Sequence, residues 1–344
     1  MARRILDHLI GFKVSPLVWR HAPPAKSAGR VQSPSLRIIC ERETERDKHI
    51  KEEYWPVSSK FAFKDFTFEA ELIKSNDSDL KKTPVSSEDQ KNKIQSELKS
   101  SEFYIHSIET KPQSSSPNPP FRTSTLQMTA SSSLGFTADR TMRSAQNLYE
   151  AGLITYLRTD GINISTSPNT GEPFSEENPG PPPLEEIRNV ISEKFGKKFL
   201  SDDVRVYKSK VKNSQEAHEA IRPTNIKTYP EKINLGQDEQ KLYTLIWNRT
   251  VASQMSNSEH ERKKIVVHSE NDKFVLNASS RKTIFEGFET LSKKDSSEAL
   301  DFPEDLKEKE KVNFLEFISE QKFTSPPNRY SCLLYTSPSP RDNR

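Results

Sequence analysis

The sequence predicts an α+β protein with several domains. Met142, Ala145, Leu148 and Tyr149 recur at helical spacing. Residues 57–72 and 264–278, in contrast, are rich in the β-branched and aromatic residues typical of strands. Polar tracts separate such segments, and 344 residues are enough for two or three domains. We therefore expect helical and β-rich regions to form separate domains.

The chain begins with a predicted helix that has a basic side and an apolar side. Arg4 and His8 are four residues apart and share one face. Two further cations extend this basic row: Lys13 and Arg20. Three apolar residues favour the side that faces a core: Leu6, Leu9 and Ile10.

Basic residues dominate the beginning of the chain. Residues 1–48 contain ten Lys and Arg against five Asp and Glu, and four of those acids lie beyond residue 40. Such a patch is typical of a surface that binds a nucleic-acid backbone, although a solvated helix face explains it equally well. The small residues Ser27, Ala28 and Gly29 would let backbone N–H groups approach a phosphodiester, with Arg30 and Gln32 as side-chain donors.

One tyrosine stands out in residues 148–161, which read LYEAGLITYLRTDG. Gly152 fits the left-handed residue that ends a helix, and residues 153–157 read as a short strand. Tyr156 and Arg158 would then share one strand face. A guanidinium can stabilise phenolate character and pair with phosphate oxygens. The alternative is a buried tyrosine beside a surface ion pair between Arg158 and Asp160.

A second polar cluster lies in residues 215–224, QEAHEAIRPT. Glu216, His218, Glu219 and Arg222 would fall within two helical turns that Pro223 ends. The second histidine of a metalloprotease His-Glu-x-x-His motif is absent. The alternative for His218 is a helix-terminal histidine that bonds a backbone carbonyl.

The remaining segments exclude several classes of protein. Residues 75–101 and 165–183 read as loops or insertions, and residues 110–120 as a Pro/Ser-rich hinge linker. Asp77 and Asp79 read as solvated loop, and the two cysteines, Cys40 and Cys332, cannot form a zinc site. No stretch predicts a membrane span, and no Gly-x-x-x-x-Gly-Lys-Ser/Thr motif suggests ATP. We therefore expect no metal site and a reducing compartment.

These segments together resemble the type IA DNA topoisomerases, the bacterial topoisomerase I branch in particular. The resemblance rests on residues 148–161 and on further blocks that are collinear from residue 3 to residue 331. These blocks are ARRILDHLIGF at 2–12 with SPL at 15–17, SAGRVQS at 27–33, EYW at 53–55, PPF with TSTLQ at 119–127, LGF at 134–136, QEAHEAIRPT at 215–224 and FTSPPNRYS at 323–331.

The resemblance implies a central region made of three domains. Residues 1–48 would begin a helical DNA-binding domain, to which residues 293–331 return, truncated. Residues 49–110 and 259–292 would form a β-rich gate domain, and residues 111–258 a mainly helical catalytic tyrosine domain. Residues 332–344 read as a non-native tail. The chain would lack an N-terminal Toprim domain, and Met1 would be an internal methionine or an artificial start.

The resemblance also implies the chemistry. Tyr156 would form a 5′-phosphotyrosine bond in single-stranded DNA, with Arg158 and His218 assisting. Mg²⁺ would be held in the full-length enzyme by acids absent from this chain, and ATP would not be used. The implied DNA-binding residues are Arg4, Ile5, His8, Lys13, Arg20, Ser27, Ala28, Gly29, Arg30, Val31, Gln32, Gln146, Glu150, Thr155, Thr159 and Asp160.

The predicted protein is a monomer that relaxes negatively supercoiled DNA in the bacterial cytoplasm at the nucleoid, or in an organelle of a eukaryote. No membrane partner is expected. Two alternatives stay open: a non-catalytic fragment that binds single-stranded DNA, and a decatenase similar to topoisomerase III. The fragment alone is not expected to be competent, since the metal-binding half would be missing.

Overall fold

The computed structural model describes residues 2–29, 31–76, 78–80, 82–168, 180–208, 219–292 and 301–330. Its helices and strands, in chain order, are α1 (Ala2–His21), α2 (Gln32–Asp47), β1 (Glu53–Tyr54), β2 (Val57–Phe63), β3 (Phe66–Ser75), β4 (Ser78–Asp79), α3 (Glu88–Lys99), β5 (Phe103–Ser115), α4 (Thr123–Leu134), α5 (Ala138–Glu150), α6 (Pro183–Lys194), α7 (Gln237–Ala252), β6 (Ser258–Ser269), β7 (Phe274–Phe285), β8 (Lys311–Ser319) and β9 (Lys322–Phe323). This mixture confirms the predicted α+β class. No helix in the described ranges is both long and apolar enough to cross a bilayer.

The described residues divide into two units, the first made of residues up to 55 and from 321 to 330. It contains α1, α2 and the antiparallel pair of β1 and β9. The Arg42 guanidinium lies over the Tyr330 ring, 4.6 Å from its centroid, and donates to the Tyr330 hydroxyl at 3.0 Å. Arg329 donates to both carboxylate oxygens of Glu43, at 2.7 and 3.0 Å. These contacts fasten the returning segment to α2.

The predicted apolar side of α1 does not face a core. Leu6 and Leu9 are 48% and 45% exposed, and Phe12 is 75% exposed. The prediction for Leu6 and Leu9 is therefore wrong for this unit, because none of its described residues covers that side of the helix. Periodicity placed these residues on one face correctly, but it cannot say what packs against the face.

The second unit, residues 56–320, is built on an antiparallel sheet. Its strands pair in the order β2-β8-β5-β6-β7-β3-β4, and β2 also pairs with β3, which closes a circuit of six strands. Large apolar side chains fill one face, and Phe61 packs edge-on against Phe103 at 5.1 Å between ring centroids. Further fully or nearly buried members of this core are Phe68, Ile105, Val267, Phe274 and Leu276.

The sheet joins strands that are far apart in sequence. β5 pairs with β6 along its length, from Phe103 opposite Ser269 to Ser115 opposite Ser258. The chain therefore leaves the sheet after Ser115 and returns beside it at Ser258, and the helices α4 to α7 lie between. Residues 111–115 belong to this pairing, so the predicted hinge linker is wrong for them: cross-strand hydrogen bonds override the Pro/Ser-rich composition.

Three other segments differ from the sequence prediction. β8 lies in the sheet, paired with β2 and β5, although residues 293–331 were assigned to the DNA-binding domain. Glu53 and Tyr54 pair with β9 in the first unit instead of the β-rich region. The polar tract 75–101 contains helix α3. Ser87 caps this helix by accepting a hydrogen bond from the Gln90 N–H at 3.3 Å, and Ile94 and Leu98 are buried one turn apart.

The helices α4 to α7 pack around a separate apolar core in the second unit. Trp247 is buried on α7, and its indole N–H donates to the Ile226 carbonyl at 2.9 Å. Burial raises the pKa of Tyr243, whose hydroxyl donates to the Thr228 carbonyl. Arg140 of α5 donates two hydrogen bonds of 2.6 Å to Asp238 of α7, which hold the pKa of that carboxyl below its usual value.

A short 3-10 helix, Gly287–Leu291, follows β7 and is called the strap below. Phe288 and Leu291 pack against the helical core, and the Phe288 N–H donates to the Ser256 carbonyl at 3.1 Å. Gly287 has φ of +51°, and a Cβ placed there would lie 2.1 Å from the Asn257 carbonyl oxygen. The strap thus approaches the backbone after α7 more closely than any side chain would allow.

Replacing Gly287 with alanine tests this close approach. Gly135→Ala is a matched control, because Gly135 also has a positive φ, +67°, but no atom lies within 4 Å of its Cβ position. We expect Gly135→Ala to lower the free energy of unfolding by roughly 1 kcal/mol. Gly287→Ala should lower it by about 3 kcal/mol or more, since backbone must also move. Urea denaturation followed by circular dichroism measures both, and equal losses would contradict the packing described here.

Candidate active site

Helix α5 delivers the chain to Tyr156 through a glycine-dependent stop. Gly152 has φ of +70° and donates its N–H to the Tyr149 carbonyl, while the Leu153 N–H donates to the Leu148 carbonyl, both at 2.9 Å. This pair of bonds is the Schellman arrangement, which satisfies the last helical carbonyls. The predicted end of the helix at Gly152 is confirmed.

The predicted strand over residues 153–157 is wrong. This stretch is irregular and makes a single bridge, between Ile154 and Pro223. The predicted helix over 215–222 is also wrong for its described part, because residues 219–222 are extended and Ile221 bridges to Phe121. The two segments pair with each other through single bonds, so neither forms the regular element that its composition suggests.

Residues 154–160 alternate between the interior and solvent. Leu157 and Thr159 are buried, whereas Tyr156 is 52% exposed and Arg158 and Asp160 are exposed. Tyr156 and Arg158 therefore lie on one side of the segment, as the sequence predicted, and that side faces solvent. No ion pair of Arg158 with Asp160, or with another described residue, is present, which removes the alternative of a surface ion pair.

Aromatic packing restricts the Tyr156 ring. Tyr149, in the last turn of α5, packs edge-on against Tyr156 with ring centroids 5.6 Å apart. One turn earlier, the Gln146 amide donates to the Glu150 carboxylate at 2.7 Å. Both residues of this polar pair were predicted to bind DNA, and they lie on the same helix as Tyr149. The sequence indicated Tyr149 only as a helical apolar position.

Two threonines predicted to bind DNA hold the protein backbone instead. The Thr155 hydroxyl donates to the Ala220 carbonyl at 2.8 Å and accepts from the Arg222 N–H at 3.0 Å. The Thr159 hydroxyl donates to the Glu219 carbonyl at 2.8 Å and accepts from the Gly161 N–H. Because these bonds occupy both hydroxyls, contact with DNA would have to use other atoms of the two residues.

Thr123 was not singled out in the sequence, yet it clamps the tyrosine segment. Its hydroxyl donates to the Leu157 carbonyl at 2.7 Å and the Thr159 carbonyl at 3.0 Å, and accepts from the Thr159 N–H at 2.9 Å. The Thr123 N–H also donates to the Thr159 carbonyl. These bonds fix the residues on both sides of Arg158. No local pattern could have indicated them, since the partners are 34 and 36 residues apart.

A buried ion pair supports the segment opposite Tyr156. Arg222 is buried and donates to both carboxylate oxygens of Glu219, at 2.7 and 3.2 Å, and to the Pro223 carbonyl at 2.8 Å. The Ser165 N–H donates to the same carboxylate. This network is structural and is satisfied by protein atoms. Of the other predicted site residues, His218 and Arg30 lie outside the described residues.

The predicted DNA-binding residues of the first unit are mostly exposed. On α1 these are Arg4, Ile5, His8, Lys13 and Arg20, and beyond it Ser27, Val31 and Gln32. The His8 ring stacks on Phe12, with centroids 5.5 Å apart. Ala28 is buried, and its N–H donates to the Ser15 hydroxyl at 3.0 Å, while Gly29 is half-buried. The exposed cations could contact phosphates, but Ala28 serves the turn after α1.

The part of the chain that the structure describes contains no group of three His, Cys, Asp or Glu side chains able to hold a metal ion. The resemblance assigns the Mg²⁺ ligands to acids outside this chain, so the residues described here are given no metal-binding role.

Removing the Thr123 hydroxyl tests the clamp. Thr123→Val leaves the Leu157 carbonyl and the Thr159 N–H without their partner, so we expect the free energy of unfolding to fall by about 2 kcal/mol. Amide hydrogen exchange at Thr159 should accelerate as well. Thr123→Ser keeps the hydroxyl and is the matched control, which should retain most of the stability. A valine variant as stable and as protected as the native chain would show that the clamp is unimportant.

Comparison with known proteins identifies the family. The sequence profile described as DNA topoisomerase matches residues 1–332. DNA topoisomerase 1 of Rickettsia bellii is 43% identical over 346 residues, which cover 96% of this chain and 41% of that protein. The Zymomonas mobilis enzyme of the same name is 38% identical, over 96% of this chain and 27% of its own length.

A solved structure shows the same relationship. Full-length topoisomerase I from Thermotoga maritima is 32% identical and superimposes with a TM-score of 0.76, over 97% of this chain and 51% of that one. The chain thus spans about two fifths of the length of the Rickettsia bellii relative. The match along nearly the whole chain shows that this protein belongs to the DNA topoisomerase family.

Proposed function

We propose that this chain carries the DNA-cleaving tyrosine of a type I topoisomerase of the type IA class. The observation that carries the proposal is the pair of Tyr156 and Arg158, exposed side by side on a segment fixed by Thr123. The family assignment supports DNA as the substrate. Since the chain spans only part of its relatives' length, the activity is proposed for the matched region working with the rest of such an enzyme.

The proposed reaction is a transesterification at a phosphodiester of single-stranded DNA. The Tyr156 hydroxyl oxygen bonds to phosphorus, the bond from phosphorus to the 3′-oxygen breaks, and the phenol proton leaves as the 3′-oxygen gains one. The product is a 5′-phosphotyrosine, from which re-attack by the 3′-hydroxyl restores the DNA. One phosphodiester replaces another, so ATP is not needed and torsion stored in DNA drives strand passage.

Arg158 is proposed to stabilise the negative charge that develops on the phosphoryl oxygens. Its guanidinium has no carboxylate partner among the described residues, and its planar fork matches two phosphate oxygens. His218 is a further proposed participant, which the resemblance places near the scissile phosphate. Magnesium, also implied by the resemblance, would be held by acids of the full-length enzyme outside this chain.

The first unit is proposed to bind the backbone of single-stranded DNA. Four cations lie exposed along α1, and such rows bind phosphates without reading sequence: Arg4, His8, Lys13 and Arg20. We further propose that the protein acts as a monomer at the nucleoid of a bacterial cell, and that Gln146, Glu150 and Asp160 border the bound strand.

Replacing Tyr156 with phenylalanine tests the nucleophile. The assay uses a chimera in which residues 2–330 of this chain replace the matching region of the Rickettsia bellii enzyme. We expect Tyr156→Phe to abolish both the covalent DNA adduct and plasmid relaxation, a loss of about 10⁴-fold or more. Arg158→Ala should lower cleavage by about 10²- to 10³-fold, because charge stabilisation is lost while the nucleophile stays.

Tyr149→Phe is the matched control for this experiment, because it removes the nearest other phenol hydroxyl and keeps the ring that packs on Tyr156. Cleavage by this variant should stay within a few-fold of the parent chimera. An adduct that persists in Tyr156→Phe and disappears in Tyr149→Phe would show that Tyr149 is the nucleophile and would contradict the proposal.

The salt dependence of DNA binding tests the basic surface. We expect the affinity of this chain for a labelled oligo-dT to fall as salt rises, with log K decreasing by about 0.7 per phosphate contact per unit of log salt. Replacing Arg4 and Arg20 with glutamine should reduce that slope by about 1 to 2. Lys93→Gln, at an exposed position of α3, should leave the slope unchanged. Fluorescence anisotropy measures it, and binding that ignores salt would exclude the proposed surface.

A further inference from the structure

A cavity lies in the second unit between α4, α7 and the strap. Its volume is about 580 Å³, within the range of about 300 to 1,000 Å³ that is usual for sites that bind small organic molecules. None of its lining residues belongs to the tyrosine segment 153–160. It is named the α4–α7 cavity here, and it serves no step of the proposed cleavage reaction.

The α4–α7 cavity is elongated and has an apolar floor. Helix α7 lines it from Gln240 to Ala252, about three turns, which corresponds to roughly 18 Å at 1.5 Å per residue. Apolar side chains come from all three elements: Leu134 of α4, Leu245 and Ala252 of α7, and Phe288 and Leu291 of the strap. A ligand here would therefore be long and would need an apolar body.

The charge of the lining favours an anion. The lining residues include two cations, Lys241 and Arg249, and no Asp or Glu. Lys241 is exposed at the rim, whereas Arg249 is partly buried, so its charge is less well screened by water. The cavity thus combines apolar walls with one desolvated positive charge.

Among the described residues, Arg249 has an aromatic neighbour but no anionic partner. Its guanidinium carbon lies 4.5 Å from the centroid of the fully buried Phe121 ring, and burial lowers the pKa of this arginine. Within the described ranges, no carboxylate pairs with Arg249 and no acceptor bonds its guanidinium. Tyr207 is the titratable group that interacts electrostatically with Arg249. Its hydroxyl lies within hydrogen-bonding distance of the Pro117 and Ser253 carbonyls. A partly buried cation is less well hydrated than an exposed one, so a bound anion would stabilise it.

We propose that the α4–α7 cavity binds an elongated amphipathic anion, with its acidic group on Arg249 and its apolar body along Leu245, Phe288 and Leu291. The ligand would touch the strap on one side and the helices on the other. Because it binds only the folded arrangement, it stabilises the docked strap by mass action. The site is independent of Tyr156, so this inference and the proposed function stand or fall separately.

The probe that tests this site is 4′-(trifluoromethyl)biphenyl-4-carboxylate, followed by ¹⁹F NMR with the full chain of 344 residues. The corresponding neutral carboxamide has the same shape without the charge. We expect the carboxylate to bind with a dissociation constant in the micromolar range and the carboxamide at least about tenfold more weakly. Equal binding of the two probes, or no binding of the carboxylate at millimolar concentration, would overturn the proposal.

Variants locate the binding. Arg249→Gln should weaken the carboxylate about tenfold or more and leave the carboxamide unchanged. Arg249→Lys keeps a charge and should show an intermediate loss, which covers the case that the glutamine variant fails to fold. Ser133→Trp places a bulky ring at the exposed edge of the cavity and should weaken both probes. Arg262→Gln, at an exposed position on β6, is the control for unspecific anion binding and should have no effect.

Competition distinguishes the class of ligand. Addition of oligo-dT should leave the bound carboxylate in place, because the α4–α7 cavity shares no residue with the DNA-binding surface proposed above. Displacement of the probe by the oligonucleotide would assign the cavity to DNA and overturn the proposal. So would an Arg249→Gln variant that binds the carboxylate as tightly as the native chain.

Discussion

The position of the candidate nucleophile depends on the backbone hydrogen bonds of residues 219–224. This segment lies between Phe121 and the tyrosine segment: the Ile221 N–H donates to the Phe121 carbonyl at 2.8 Å, and the Thr155 N–H donates to the Arg222 carbonyl at 2.9 Å. The buried pair of Arg222 and Glu219 stiffens it. Because a buried peptide group without a partner costs free energy, these bonds specify one arrangement in which Tyr156 projects into solvent.

Different residues of the tyrosine segment hold its backbone and face the solvent. Residues that face inward, such as Thr155 and Thr159, use their hydroxyl groups to bond carbonyls. The outward residues Tyr156 and Arg158 make no side-chain hydrogen bond to another described residue, so both are available for the proposed contact with a phosphate. Thr123 fixes both neighbours of Arg158 through their backbone carbonyls and takes no part in the proposed reaction. Buried and exposed side chains thus alternate along an irregular segment, and the buried ones hold the backbone that carries Tyr156 and Arg158. A backbone held in this way is preorganised, as the proposed catalysis requires.

The sequence predicts the features that depend on local physics and misses those that depend on distant partners. Gly152 ends α5 as expected, since the positive φ at a helix terminus favours glycine. The strand predicted at 153–157 fails because a strand needs a ladder, and its partner offers one bridge. Helix α3 was not predicted, because its composition is polar and only Ile94 and Leu98 form its buried side. Within the site, the exposed Tyr156 and Arg158 were predictable, whereas Thr123 acts across more than thirty residues and leaves no pattern.

The pairing of Ser115 with Ser258 has a mechanical consequence. Both covalent connections between the sheet and helices α4 to α7 leave from this one point, along two neighbouring antiparallel strands. Interstrand hydrogen bonds run perpendicular to the strands, so a pull on the helices loads the bonds between β6 and β7 in shear, many at once, instead of one after another. The helical part is therefore attached through two adjacent strands that together resist tension along their length, and the docked strap holds it a second time, through Phe288 and Leu291.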